Sequence, residues 1–197
     1  MFQRRQTLAI LAGCCFLPAT AFGAPVRYQL DPDHSHVGFS FKLNGAIQSG
    51  SMPVERADIT VDPQHLSASK VDVTVTAARA RTGLIFITQA MTSPKVLNTA
   101  QFPTIRFVSR RITLGAAERI SEGARITGDL TLRGVTRSIT LQAALYRQRG
   151  TAPDDLRQLD VVLSGELNRN QFGASGFPNL VADTVALDIR ARIIAIK

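Results

Sequence analysis

A chain of 197 residues with a formal net charge of +8, two cysteines and no tryptophan has room for one domain with a substantial core. The cations are scattered, the tightest groups beyond the N-terminus being Arg79/Arg81 and Arg110-Arg111, which argues against a nucleic-acid-binding stripe. Both cysteines, Cys14 and Cys15, fall in the first two dozen residues, so residues 24–197 can form neither a disulfide nor a thiolate metal site.

Arg4 and Arg5 open the chain, Thr7 to Ala21 is an apolar run, and Ala21-Phe22-Gly23 places small residues at −3 and −1 of a cut before Ala24. This is the pattern of a bacterial secretory signal peptide over residues 1–23, and the run is too short for a spanning helix of about 20 residues. Arg4-Arg5-Gln6-Thr7-Leu8 also resembles a twin-arginine signal, and Leu11-Ala12-Gly13-Cys14 resembles a lipobox. Cys14 comes early for a lipobox, and Cys15-Phe16-Leu17 keeps the run apolar beyond it. The expected product is one exported domain, residues 24–197, as a monomer or homodimer. Loss of Arg4 and Arg5 lowers its charge to +6, which reads as ordinary solubility or as attraction to anionic lipid or polysaccharide surfaces.

From there, period-two alternation dominates. Segments near 26–31, 46–54, 57–61 and 103–114 read as strands, and the alternation is strongest in the rest. Val37, Phe39, Phe41 and Leu43 alternate with Gly38, Ser40 and Lys42; Val71, Val73 and Val75 alternate with Asp72, Thr74 and Thr76. Ile126, Gly128, Leu130 and Leu132 oppose Arg125, Thr127, Asp129, Thr131 and Arg133. Leu141 and Leu145, then Leu159, Leu163 and Leu167, then Leu187, Ile189 and Ile193 repeat the pattern. Alternation of this kind means antiparallel strands with one solvated face. Asn44-Gly45 and Gly134-Val135 read as tight turns, and Arg149–Asp155 as a longer loop. Eight to ten such strands must close into a barrel or stack as a sandwich to hide their edges. The expected fold is all-β: an eight-stranded antiparallel barrel with a short helical segment.

Residues 79–101 break the alternation. Thr82 can cap a helix over Gly83–Thr92, and Ser93-Pro94 can start a second short turn. The helix carries Leu84, Ile85, Phe86, Ile87 and Met91, and reads either as a plug packed into the barrel end or as an apolar lid over a mouth.

The interior has no evident polar machinery. Gly173-Ala174-Ser175-Gly176 is not a nucleophile elbow, no close carboxylate pair stands out, and phosphate-cradling glycines and zinc-protease motifs are lacking. His34 and His36 share a strand face but would need His65 or a carboxylate to complete a metal site, so no metal is expected. Ala143, Gly128, Gly165 and Ala191 read as small inward residues that leave room inside. Such an interior suits a long hydrocarbon, because each buried methylene contributes roughly 0.8 kcal/mol. The candidate lining is Phe39, Phe41, Val73, Leu84, Phe86, Ile87, Met91, Phe107, Leu130, Leu141, Leu163 and Phe172, with no catalytic residue among them.

Four blocks in order carry a family resemblance. Gly128-Asp129-Leu130-Thr131-Leu132-Arg133-Gly134-Val135-Thr136-Arg137-Ser138-Ile139-Thr140-Leu141 closely resembles the signature hairpin of the YceI-like, polyisoprenoid-binding family. Tyr28–Ser35 is similar to its opening strand, Leu97–Pro103 with Ile105-Arg106-Phe107 to its central stretch, and Leu167–Gly173 with Val181–Val185 to its last two elements. The chain departs from the family at Gly50-Ser51-Met52, where many members follow glycine with an aromatic. Its segment 79–92 is more apolar than usual and lacks the acidic and histidine residues many members carry there.

The resemblance implies an extended lipocalin-like barrel with an apolar tunnel, periplasmic residence, and an isoprenoid quinone, polyprenyl or fatty-acyl amide ligand. No dedicated cofactor is expected beyond such a lipid. A carrier or buffer is the leading expectation. An accessory presenting quinone to a membrane redox protein, docked through Arg79, Arg81, Arg110 and Arg111, is a second. A stress-responsive envelope protein with a filled barrel is a third.

Overall fold

The computed structural model describes residues 25–115, 123–152 and 155–196; the expected signal segment and its cut before Ala24 lie outside them. The strands are β1 (Val26–Leu43), β2 (Ala46–Met52), β3 (Val54–Val61), β4 (Lys70–Thr76), β5 (Arg81–Thr82), β6 (Thr104–Leu114), β7 (Ala124–Leu132), β8 (Val135–Arg147), β9 (Gln158–Asn168) and β10 (Val181–Ala195). They run antiparallel in the order β10-β9-β8-β7-β6-β4-β3-β1, and β10 pairs back onto β1. The result is a closed eight-stranded barrel of lipocalin-like form, with β2 and β5 as two extra strands. Closure removes the free edges that a sheet of this length would otherwise present.

The β7 strand shows how directly the sequence writes the wall. Ile126, Gly128, Leu130 and Leu132 are buried, while the intervening Thr127, Asp129 and Thr131 keep part of their surface. On the outer face these polar residues pair across strands, with Thr127 and Thr140 hydroxyls 3.0 Å apart and those of Thr131 and Thr136 2.8 Å apart.

The long first strand serves two partners. Val26–Tyr28 pairs with β3, whereas Val37–Leu43 pairs with β2, and Pro53 separates those partner strands. Between the two halves the pairing with β10 jumps from Asp31/Arg192 to His36/Arg190. This bulge is fixed by its own side chains. The Ser35 hydroxyl donates to the Asp31 carbonyl (2.6 Å) and accepts from the Arg192 N–H (3.0 Å), while the Asp31 carboxylate lies 2.8 Å from His34 Nδ1. Because extra residues enter the strand here, the inward set changes parity from Tyr28 and Leu30 to Val37, Phe39 and Phe41.

Two hairpins are closed by paired left-handed residues, Asn44-Gly45 (φ 49° and 81°) and Arg133-Gly134 (φ 51° and 73°). That is the primed-turn geometry matching strand twist. The second turn lies one residue earlier than Gly134-Val135, because Val135 already pairs with Leu132.

The helix also begins later than the sequence suggests. It is α1, Ile85–Thr92, preceded by Leu84 in extended conformation with no side-chain cap. Thr82 cannot cap it because it is held in β5 opposite Gly50. Its hydroxyl donates to the Leu84 carbonyl instead, and its N–H donates to the Thr88 hydroxyl at 3.0 Å. Residues 94–97 form turns, and Ser93 closes α1 rather than opening a second helix.

The two barrel ends differ. Near the end formed by residues 62–69, 148–152 and 155–157, Tyr28, Leu159 and Ile193 form a tight plug. The Tyr28 hydroxyl, whose pKa is raised by burial, donates to the Leu156 carbonyl at 2.7 Å. The other end carries both tight turns, residues 77–103 with α1, and residues 169–180; here Met91, Leu97, Leu132, Phe172 and Ala174 cluster.

Candidate functional site

Between these two clusters lies a cavity of about 550 Å³. It follows the barrel axis, since β10 alone lines it from Val181 through Val185, Leu187, Ile189 and Ala191 to Ile193. Thirteen residues of tilted strand span roughly 30 Å, so the cavity is long for its volume.

Seven of the side chains picked out by alternation border it: Phe39 and Phe41 from β1, Val73 from β4, Phe107 from β6, Leu130 from β7, Leu141 from β8 and Leu163 from β9. The Phe39 and Phe41 rings stack with centroids 6.4 Å apart and planes within 12°. From α1, Ile87 and Met91 are buried and border the cavity, while Phe86 borders it yet is 61% exposed. Phe86 therefore marks the mouth. Leu180 borders the cavity and is exposed in the same way, so the opening lies between α1 and the segment leading into β10.

Two expected lining residues are elsewhere. Leu84 is the extended residue ahead of α1 and lies outside the cavity wall. Phe172 is 1% exposed and is consumed in packing the end cluster, because the turn Arg169–Phe172 folds its ring against that core.

The small residues also behave differently from the expectation that they leave space. Ala191 borders the cavity, but Ala143 does not, and Gly128 and Gly165 are covered by neighbouring side chains. The Phe107 ring lies over Gly128, and Leu141 lies against Gly165, so each glycine admits a large neighbour rather than a void.

The wall carries few polar side chains, Ser35, Asn44, Arg169 and Arg190, and the structure itself occupies Ser35 and Arg169. Ser35 is spent in the β1 bulge. Arg169, a buried cation the sequence reading did not single out, is 5% exposed. Its Nη1 donates to the carbonyls of Ala174 (2.6 Å) and Gly176 (2.7 Å), its Nη2 to Val181 (2.9 Å) and its Nε to Ala182 (3.0 Å). Burial lowers its pKa while Asp183, 4.0 Å away, opposes the shift; a guanidinium stays charged under both influences. One side chain thus holds the chain from Ala174 to Ala182 as a frame for the mouth. The readable signal was a basic residue directly after the apolar β9 face, but its four acceptors are known only once the loop is closed.

His34 and His65 each lie beside a carboxylate of their own segment. His34 sits in the bulge beside Asp31, and His65 is 3.7 Å from Asp62 in the β3–β4 connection. Among the described residues no group of three or more metal-ligating side chains converges. Arg110 is tied to Asp129 on the barrel wall, separated from Arg79 and Arg81 at the mouth end, so the expected four-arginine patch is divided.

Comparison with known proteins agrees with this architecture. Protein YceI of Salmonella newport (strain SL254) is 30% identical over 141 residues, 70% of each chain. Among solved structures, BcnA of Burkholderia cenocepacia superposes with a TM-score of 0.72 at 16% identity, covering 83% of this chain and 99% of that one. A polyisoprenoid binding domain from Saccharophagus degradans gives 0.62 at 14% identity, with 87% and 99% covered. A family model, the YceI-like domain, matches residues 28–193, and the chain belongs to that family.

Proposed function

We propose that this protein binds the chain of a long apolar lipid inside its barrel, of isoprenoid quinone, polyprenyl or fatty-acyl amide type, and acts as a periplasmic carrier or buffer. The observation that carries this reading is the cavity: about 550 Å³, elongated, and walled almost wholly by aliphatic and phenylalanine side chains. Its volume lies in the range of small-molecule sites, and each buried methylene contributes roughly 0.8 kcal/mol, so a hydrocarbon needs no charged partner to bind tightly. Since Ser35 and Arg169 are engaged by the protein, the ligand's polar head stays at the mouth by Phe86 and Leu180. Membership of the YceI-like family and likeness to a domain described as polyisoprenoid binding support the same ligand class.

Native mass spectrometry and lipid extraction of protein purified from its own host test the reading. A co-purifying long-chain lipid is expected. A barrel that is empty on purification and fails to take up an added polyprenol would overturn it.

A further inference from the structure

Exposed apolar side chains concentrate at the mouth end. Ile47, Leu84, Ile85, Phe86 and Leu180 are five of the eight exposed large hydrophobic side chains among the described residues, so the exposure is local to one surface. The register explains why they gather. β5 runs antiparallel along β2 with Gly50 opposite Thr82, which carries the chain after Thr82 toward the hairpin end of β2, where Ile47 lies. The Asn44 N–H donates to the Leu180 carbonyl at 2.8 Å, bringing Leu180 to the same hairpin. Ile85 is 77% exposed and Ile47 70%, and neither they nor Leu84 border the cavity. Their exposure serves neither the core nor the ligand wall.

The charge of this end is one-sided. Its connections, Asn44-Gly45, residues 77–103, Arg133-Gly134 and residues 170–180, hold Arg79, Arg81, Lys95 and Arg133 and no carboxylate. Lys42 sits opposite Ile47 in the β1–β2 register. Nearby carboxylates belong to strands: Glu55 in β3, near Thr76, and Asp183 in β10, beside Arg169. The connections at the other end mix both signs, with Asp62 and Asp155 beside Arg149 and Arg157.

We propose that this collar is a docking surface for an anionic lipid bilayer. Ile47, Leu84 and Ile85 enter the headgroup boundary, while Lys42, Arg79, Arg81 and Lys95 meet lipid phosphates. Apolar side chains flanked by cations are the pattern of interfacial membrane binding. Docking sets the opening at Phe86 and Leu180 against the membrane, so a lipid passes between bilayer and barrel without crossing water. The purpose of the surface rests on the lipid-binding reading; its chemistry does not.

Vesicle flotation tests it, with vesicles of phosphatidylcholine alone and of equal parts phosphatidylcholine and phosphatidylglycerol. The protein is expected to float with the mixed vesicles, more weakly with neutral ones, and less as salt rises. Ile47→Asp combined with Ile85→Asp lowers that binding by at least about tenfold, while thermal melts stay as in the parent. Ile85→Ser alone gives a smaller loss, and Arg79→Glu with Arg81→Glu gives a loss confined to anionic vesicles. Failure of the parent to float, or equal flotation of parent and variants, overturns the proposal. So does concentration-dependent self-association abolished by the same aspartates, or capture by a membrane redox protein without vesicle binding. A parent that floats but never holds lipid overturns the carrier reading instead and leaves the docking surface standing.

Discussion

The ring of Phe39 lies directly over Gly50, its partner across the β1–β2 ladder, and fills the space a side chain at Gly50 would need. The same position faces the Arg81 carbonyl of β5, so any Cβ there presses on both the cavity wall and the strand that leads to α1. Gly50→Ala is therefore expected to destabilise the fold by about 1–3 kcal/mol through overpacking. Phe39→Leu in the same chain should recover part of that loss, and a double-mutant cycle by urea denaturation should show coupling of about 0.5 kcal/mol or more. Additive effects would mean the ring and the glycine do not constrain one another.

Arg169 gives a second expectation. Its replacement by methionine keeps the stem but leaves four carbonyls from Ala174 to Ala182 without their donor. Unmade buried hydrogen bonds cost about 1–3 kcal/mol each, partly relieved where the loop opens to water. A loss of about 3–5 kcal/mol is expected in denaturant melts, with faster amide exchange across residues 173–182 before global unfolding. Unchanged exchange in that segment would show that Arg169 does not frame the mouth.

How much of this could be read from residue order follows from periodicity. The walls were legible because period two on β7 or β10 has one meaning in a closed antiparallel barrel. The β1 bulge was not, since Asp31–Ser35 changes which parity faces inward, and only its hydrogen bonds to Arg192 and within the bulge reveal where. Gly128 suggested room, but the diagonal Phe107 claims it, a relation between two strands rather than within one. Leu84 and Phe172 failed as lining for the same kind of reason: β5 pairing displaces the helix start, and the turn after β9 commits the ring to the end cluster. Local sequence carries a residue's face along its own strand, not the partner that covers it.

Acid stability offers an independent check. Arg157 grips Asp155 through Nε (2.9 Å) and Nη2 (2.6 Å) and its own N–H, pulling that carboxyl down to about 2. Asp72, gripped by Arg106, is likewise held below the usual carboxylate range. A folded pKa below the unfolded one means these contributions are complete above the unfolded carboxylate pKa. They are lost as pH falls, between about pH 5 and pH 2 for Asp155. Asp155→Asn should lower Tm at pH 6 and shrink the Tm difference between pH 6 and pH 3. An unchanged difference would show that the pair does not act on stability.

Two apolar residues of α1 that border the cavity, one buried and one exposed, should respond differently to charge. Met91 is 8% exposed and packs in the same cluster as Leu97, Leu130 and Phe172, so Met91→Asp buries an unpaired carboxylate. A loss of about 3–5 kcal/mol is expected, with lipid lost only because the protein unfolds. Phe86 is 61% exposed at the opening, where an aspartate keeps its water. Phe86→Asp should change stability by no more than about 0.5 kcal/mol, yet lower the lipid recovered on extraction, because a charge at an apolar mouth opposes hydrocarbon entry. Thermal melts and lipid extraction on both variants separate the cases. If Phe86→Asp melts as early as Met91→Asp, the helix is a plug throughout. If Phe86→Asp retains its full lipid, the opening is not beside α1.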